Sequence, residues 1–513
     1  MDPRFPETSF PMNPIRVAPT LQFDPVKTAN DLHRYWRSQA VEGYLERHWP
    51  GKVDLDAWIP GIRGLLVKQF PLFADAEIKY FSAGTFNRLY SISSPDWTTT
   101  YIFRISIPVE PFFKTESEVA TMEYVRQHTS IPVPRVIAFC SSNANELGYE
   151  WILMEMMQGV PLRTVWDKMA EAARIKFFAE VASHAKKLLS LRFNNFGSIY
   201  FADVADRVEG RSLLATPNSN NGTNGTNGVN GVNGRIGLNG PFVLGRIVSQ
   251  DFFFNKRVHF SGSRGPFQTT RQLVDARMNL LGQRIQNLST TPGEPYFCGS
   301  DEALARHKRL VDVVFSQLTA LVPQLVPQDN GPEDVGVLWH DDLSQHNMLV
   351  DPVTYKLAGI VDWEAVGILP AYESYDALPA FLSDRDWRPI PLTLIERGVK
   401  PNDEVVAAKI LEREKEFGAI RREYHKIVGP LYDSTSAETQ RRLKNKQGLA
   451  KQLELPQFEH RPWATAAWMV DMGLVGTTAV GVAEDNGTEA TAYGAQENGA
   501  TDAPMLETDV WAA

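Results

Sequence analysis

A chain of 513 residues with 43% hydrophobic and 22% charged residues has the make-up of a globular protein, and it is long enough to bury a sizeable core without disulfides or metals. Its formal net charge of −9 argues against nucleic acid or an anionic membrane as the main partner, because both reward a basic surface. Two cysteines, Cys140 and Cys298, cannot form a disulfide framework and fit a reducing compartment as buried, inert thiols.

The segment Met1 to Phe10 lacks the basic start and apolar stretch of a secretory signal, and Asp2 and Glu7 sit where mitochondrial presequences avoid acids. No apolar run approaches the roughly 18 residues that indicate a membrane span. These features predict a cytoplasmic protein.

From about residue 30 to 70, apolar residues recur at helical spacing through Leu32, Tyr35, Trp36, Tyr44 and Leu45, then Trp58, Ile62 and Leu66. The pattern then changes to short β-branched and aromatic runs at 78–81, 88–92 and 101–105, with the turn Ser94-Pro95-Asp96 between two of them. A small antiparallel sheet is predicted, followed by a helix over 116–127 that stops before Pro132 and Pro134, and by two strands at 135–138 and 151–155. After Met156 the pattern is mostly helical, with helices at about 301–325 and 403–428. Repeated Asn-Gly units within 217–240 cannot bury apolar surface and read as a disordered insertion. The chain thus divides into a helical extension (1–70), a sheet-based lobe (71–160), a mostly helical lobe (161–430) with a disordered Asn/Gly-rich insertion (215–240), a helical segment (431–480) and a disordered tail (481–513).

The chemistry concentrates in 337–366, VLWHDDLSQHNMLVDPVTYKLAGIVDWEAV. Residues 348–350 and 357–361 are short apolar strands, and Asp351-Pro352-Val353-Thr354 between them is a turn signal. Folded as an antiparallel hairpin, this segment brings Asn347 and Asp362 together at its open end. Asp342 lies on the loop leading in. Phosphoryl transfer from ATP needs Mg2+ on hard oxygen ligands and a carboxylate near the attacking hydroxyl. Asn347 and Asp362 would supply the metal oxygens, and Asp342 would act as catalytic base. His340-x-Asp342-x4-Asn347, then a strand and Asp362, is the order of catalytic and metal loops in kinase-like enzymes. His340 reads as a packing residue. A zinc site on His340, Asp342 and His346 lacks further ligands at suitable spacing.

The same segment resembles the aminoglycoside phosphotransferase and choline kinase superfamily, in LWHDDLSQHNMLVD followed by IVDWE. The order of SAGTFNRLY (82–90), YIFRIS (101–106), SEVATMEYVR (117–126), IPVPRV (131–136) and WILMEMMQGVPL (151–162) matches that family's amino-terminal lobe. A weaker trace continues to Arg461-Pro462-Trp463. The nearest branch is the one named for altered inheritance of mitochondria, which brings a mitochondrial location as an alternative. The resemblance implies an α+β, two-lobed protein-kinase-like fold with a small antiparallel-sheet N-lobe and a mostly helical C-lobe. It implies a phosphate-covering loop at Ser82, Gly84, Thr85, Phe86 and Asn87, with a single glycine. Arg104 stands where the family's strand lysine holds the phosphates, a change that keeps the charge but not the geometry. Glu118 would pair with it, with Glu116 and Glu123 as rivals. Glu155 to Met157 would form the hinge lining the adenine pocket.

The acceptor is expected to be a small molecule with a hydroxyl group. Glu364, Glu373, Asp376, Asp384 and Asp386 follow the metal loop, and such an acidic wall would suit a cationic alcohol. Two other readings stand beside the enzyme. One is a pseudokinase scaffold, motivated by Arg104 and the single-glycine loop. The other is a protein kinase, against which count Trp363 and the missing Ala-Pro-Glu.

Overall fold

The computed structural model describes residues 10, 13–19, 55–84, 86–207, 241–253, 257–290, 300–331, 334–374, 378–382, 404–429, 437–453, 465 and 469. Several expectations lie outside these residues: the helix before residue 55, the Asn/Gly-rich insertion, the segment around Arg461 to Trp463 and the tail.

The amino-terminal lobe is a six-stranded sheet in the order β1-β5-β6-β4-β3-β2. Its strands are β1 (Ile15–Arg16), β2 (Glu77–Ala83), β3 (Asn87–Ser93), β4 (Tyr101–Ser106), β5 (Val136–Cys140) and β6 (Glu150–Glu155). Every residue of β4 is buried, because the central strand is covered on both faces. Side chains alternate across it as strand geometry requires. Tyr101, Phe103 and Ile105 join Leu65, Leu66, Phe73 and Trp151 in a core under the Ile59–Gln69 helix. Ile102 and Ile152 point the other way, into a core with Val119, Met122 and Val125 of the Phe113–His128 helix.

Two features depart from the predicted sheet. It is not wholly antiparallel, because β1 pairs in parallel with β5. A two-residue strand has no periodicity to detect. The Phe113–His128 helix also starts earlier than expected, with Phe112 at its cap in a left-handed conformation and its N–H donating to Glu150 at 2.6 Å.

The second core is continuous with the larger lobe, where it takes in Phe177, Phe178, Leu188, Trp339, Trp363, Phe381 and Phe417. The helices Glu171–Ser190, Thr270–Gln286, Asp301–Leu325, Glu404–Val428 and Ala437–Leu453 make up most of this lobe. Apart from the 348–361 hairpin, short strands were not expected here. Three form a sheet, β8 (Arg192–Phe193), β11 (Gly336–Trp339) and β14 (Gly367–Pro370), and β9 (Ser198–Phe201) pairs with β10 (Phe242–Gly245).

One small sheet joins the lobes. The predicted hairpin forms, as β12 (Met348–Val350) and β13 (Leu357–Ile360), and β12 also pairs with β7 (Val160–Pro161) just beyond the inter-lobe connection. On its other side, Ile360 N–H donates to Pro132 of the small lobe at 2.9 Å. Gly159 makes the connection possible: its φ is +100°, and a Cβ would lie 2.8 Å from the Val350 carbonyl oxygen. The hairpin's open end therefore sits where the lobes meet.

Candidate active site

At the hairpin's open end Met348 pairs with Ile360, and Val361 N–H donates to the Asn347 carbonyl at 3.0 Å. Asp362 follows with φ +62°, a conformation that turns a non-glycine residue sharply out of the strand. Asn347 donates its amide group to the Asp342 carboxylate at 2.8 Å and to the Asp342 carbonyl at 2.9 Å. That contact fixes the amide plane and leaves the Asn347 side-chain oxygen for another ligand. Asp342 is exposed on its loop, which is pinned by Arg163 N–H to Gln345 O at 3.2 Å and Phe381 N–H to Leu343 O at 3.1 Å.

Asp362 has two unlike oxygens. Its side chain is 37% exposed overall, yet Oδ1 is buried without a hydrogen-bond partner among the described residues and lies 4.0 Å from Arg104 Nη1. Burial and then the neighbouring Glu364 charge push the Asp362 carboxyl well above the ordinary carboxylate range, with Arg104 opposing.

Arg104, 4% exposed on β4, is paired with Glu118 of the Phe113–His128 helix. Burial disfavours its charge, but Glu118, then Glu364 and Asp362, hold it above its ordinary value and firmly protonated. The choice among the three glutamates is thereby made. Glu116 is held by Arg16 at 2.7 Å and by Ser141 at 2.6 Å, and Glu123 by Arg126 at 2.6 Å.

The loop between β2 and β3 is closed by Gly84 N–H to the Asn87 carbonyl at 2.9 Å. A Cβ on Gly84 would meet nothing within 4 Å, so this glycine leaves open space above the loop. Ser82 is buried, and Phe86 is buried with its ring against Phe253. Thr85 lies outside the described residues. At the connection, Glu155 is tied to Arg135 at 3.1 Å. Met157 lies over Gly359 of β13, where a Cβ would come within 2.6 Å of Met157 Cε.

Two expectations need amending. Glu373 is not part of an open acidic wall: Arg277 binds it with two hydrogen bonds, of 2.8 and 3.0 Å. Glu364 also turns inward, to Lys114 at 2.6 Å and Asn87 at 2.9 Å. Asp376, Asp384 and Asp386 lie outside the described residues. Lys114 was missed altogether; nothing in the local sequence distinguishes it from a solvated lysine.

His340, 1% exposed, donates from Nε2 to the Val361 carbonyl at 3.1 Å and meets Trp363 edge-on at 4.8 Å. Burial pushes its imidazole down to about 4, so it is neutral at pH 7. An unfolded chain protonates this residue near pH 6.5, so between about 6.5 and 4 the unfolded state binds more protons and stability falls as pH drops. Urea unfolding at pH 7.5 and 4.5 should show wild type losing roughly 2–3 kcal/mol more than His340→Gln on acidification. Equal losses would show that the ring is not held neutral.

Residues 77–215 match the phosphotransferase enzyme family. That match takes in the small lobe's sheet from β2 to β6 and runs on into the larger lobe. The chain is 24% identical over 329 residues to a subtelomeric hrmA-associated cluster protein of Aspergillus fumigatus, the match covering 58% of each. It thus spans little more than half the length of that relative. To altered inheritance of mitochondria protein 9, mitochondrial, of Debaryomyces hansenii it is 32% identical over 141 residues, 25% of this chain and 22% of that one. Among solved structures, an aminoglycoside phosphotransferase in a ternary complex with streptomycin and ATP aligns with a TM-score of 0.39 at 11% identity, covering 83% of this chain and 99% of that one. No described helix is long and apolar enough to cross a membrane.

Proposed function

We propose that this protein is an ATP-dependent phosphotransferase that moves the γ-phosphate onto a hydroxyl of a small molecule, with Asp342 as catalytic base and Mg2+ held by Asn347 and Asp362. The observation that carries the reading is the cluster at the lobe junction: an exposed Asp342 oriented by Asn347, and a buried, unbonded Asp362 oxygen beside a fixed Arg104.

The donor set suits magnesium. Asp362 Oδ1 is an oxygen that burial would penalise unless a cation met it, and the Asn347 oxygen is a hard neutral ligand. Two protein oxygens suffice, because Mg2+ keeps waters and takes its other ligands from phosphates. When bound, the ion neutralises charge developing on the transferred group. The chain's own residues do the rest. Arg104 supplies a cation that cannot lose its proton, the loop from Ser82 to Asn87 covers the phosphates, and the strand end from Glu155 to Met157 lines the adenine side. Asp342 orients the acceptor hydroxyl and takes its proton.

The acceptor class is a hydroxylated small molecule. Glu364 and Glu373 are engaged by Lys114 and Arg277 and do not recruit a cationic one. The cytoplasm is the proposed compartment; the likeness to a relative named as mitochondrial supports the alternative.

Thermal unfolding with ATP, Mg2+ or both tests nucleotide binding, since a ligand at a hundred times its Kd adds about 2.7 kcal/mol to the native state. ATP consumption across a panel of hydroxylated metabolites tests transfer. No stabilisation by Mg-ATP would overturn the reading. Arg104 in the lysine position favours a second one, a nucleotide-binding scaffold, and stabilisation without consumption would select it.

A further inference from the structure

Lys114 stands in the first turn of the Phe113–His128 helix with a side chain that is 0% exposed. A fully buried lysine is rare and needs an anionic partner. Its partner is Glu364 at 2.6 Å, which lies two residues after the proposed metal ligand Asp362. The same Glu364 oxygen accepts from the Asn87 amide at 2.9 Å, and Asn87 in turn accepts from Ser106 at 2.7 Å. One carboxylate thus joins the helix, the end of the phosphate-covering loop, strand β4 and the metal loop.

The metal loop needs such an anchor. Asp362 and Ala365, on either side of the Trp363–Glu364 pair, both have left-handed backbones, with φ +62° and +58°. Residues other than glycine adopt that conformation at a cost and keep it only where their surroundings impose it. Trp363 supplies one restraint, being buried and donating Nε1–H to the Ile360 carbonyl at 2.9 Å. Glu364 supplies the other, and it acts across the lobes.

We propose that Lys114 and Glu364 are positioning residues, a buried ion pair that holds the metal loop in its turned conformation and so aims Asp362 at the Mg2+ of the bound nucleotide. The inference rests on the phosphotransferase reading and names a part of its machinery that neither Arg104 nor Glu118 provides. It also gives the glutamate of Asp362-Trp363-Glu364 a task, where protein kinases have glycine.

The test separates positioning from folding. Lys114→Met and Glu364→Gln should each raise the Mg2+ concentration for half-maximal stabilisation by ATP about 10- to 100-fold, as residues that orient metal ligands do. Stabilisation by ATP without Mg2+ should change less than about threefold, since neither side chain is assigned to the nucleotide itself. Each single variant leaves a buried charge unpaired and loses stability, whereas Lys114→Met/Glu364→Gln removes both charges and regains it. A structural pair would regain the Mg2+ response along with stability; a positioning pair would not. The inference is overturned if the double variant responds to Mg2+ like wild type, or if it does not fold, because the pair would then be a folding requirement. A wild type that never responds to Mg-ATP overturns the phosphotransferase reading, whereas a responsive wild type with equally responsive variants overturns this inference alone.

Discussion

ATP turnover should fall by about 10²- to 10⁴-fold in Asp342→Asn, the range that a positioned general base contributes. Binding of Mg-ATP should stay within a few-fold of wild type, because Asp342 is not assigned to the metal. Stability should also change little. Asp342 is exposed, and one of the two Asn347 contacts goes to its main-chain carbonyl, which the substitution leaves in place. Asparagine matches the shape of aspartate and can still accept the Asn347 hydrogen bond, but it cannot take up a proton from the acceptor hydroxyl. Initial rates of ATP consumption, with binding measured by thermal shift on the same samples, check both halves. Turnover within threefold of wild type would remove Asp342 from the role of base.

Asp362→Asn should do the opposite to the two observables: the stabilisation by Mg-ATP disappears while the ligand-free protein becomes more stable. The second effect follows from the position of the native carboxyl. Burial and Glu364 raise it well above the ordinary range, so folding at neutral pH either strands a charge or takes up a proton. For a carboxyl so raised, native stability is lost as pH rises through the folded value. The advantage of asparagine over aspartate should therefore be largest at alkaline pH and should close as pH falls toward about 4, where the unfolded carboxyl is also protonated. Denaturant midpoints of the two proteins from pH 4 to 8, without nucleotide, check the sign. A variant less stable than wild type at pH 8 would show that Oδ1 is satisfied in the native protein. Retained Mg-ATP stabilisation would dismiss Asp362 as a metal ligand. A residue that weakens the empty protein and is needed only when the ligand arrives fits the trade between stability and function at active sites.

Strained backbone and an unpaired oxygen fall within a few residues of Asp362, and the buried lysine is bound to Glu364 beside it. Each alone has an ordinary structural explanation. Their coincidence at the lobe junction is what gives the phosphotransferase reading its support, and the two aspartate variants probe opposite ends of it.

What the sequence determined by itself was whatever depends on near neighbours. The hairpin Met348–Val350 and Leu357–Ile360 was legible because strand period and the Asp351-Pro352 turn act within a dozen residues. The relation of Asn347 to Asp362 follows from that hairpin, and the strands at 101–106 and 150–155 announced themselves by β-branched and aromatic content. Tertiary structure decided whatever depends on who packs against whom. The glutamate facing Arg104 could not be chosen in advance, because the Phe113–His128 helix is buried on all sides from Lys114 to Val125 and shows no polar face to orient it. The strand Ile15–Arg16 is too short to leave a period, and its pairing sets Ile15 beside Ala138, far away in the chain. Lys114 and Glu364 are 250 residues apart in the chain, and no local propensity couples charges across that distance; only the closure of one lobe on the other makes them a pair.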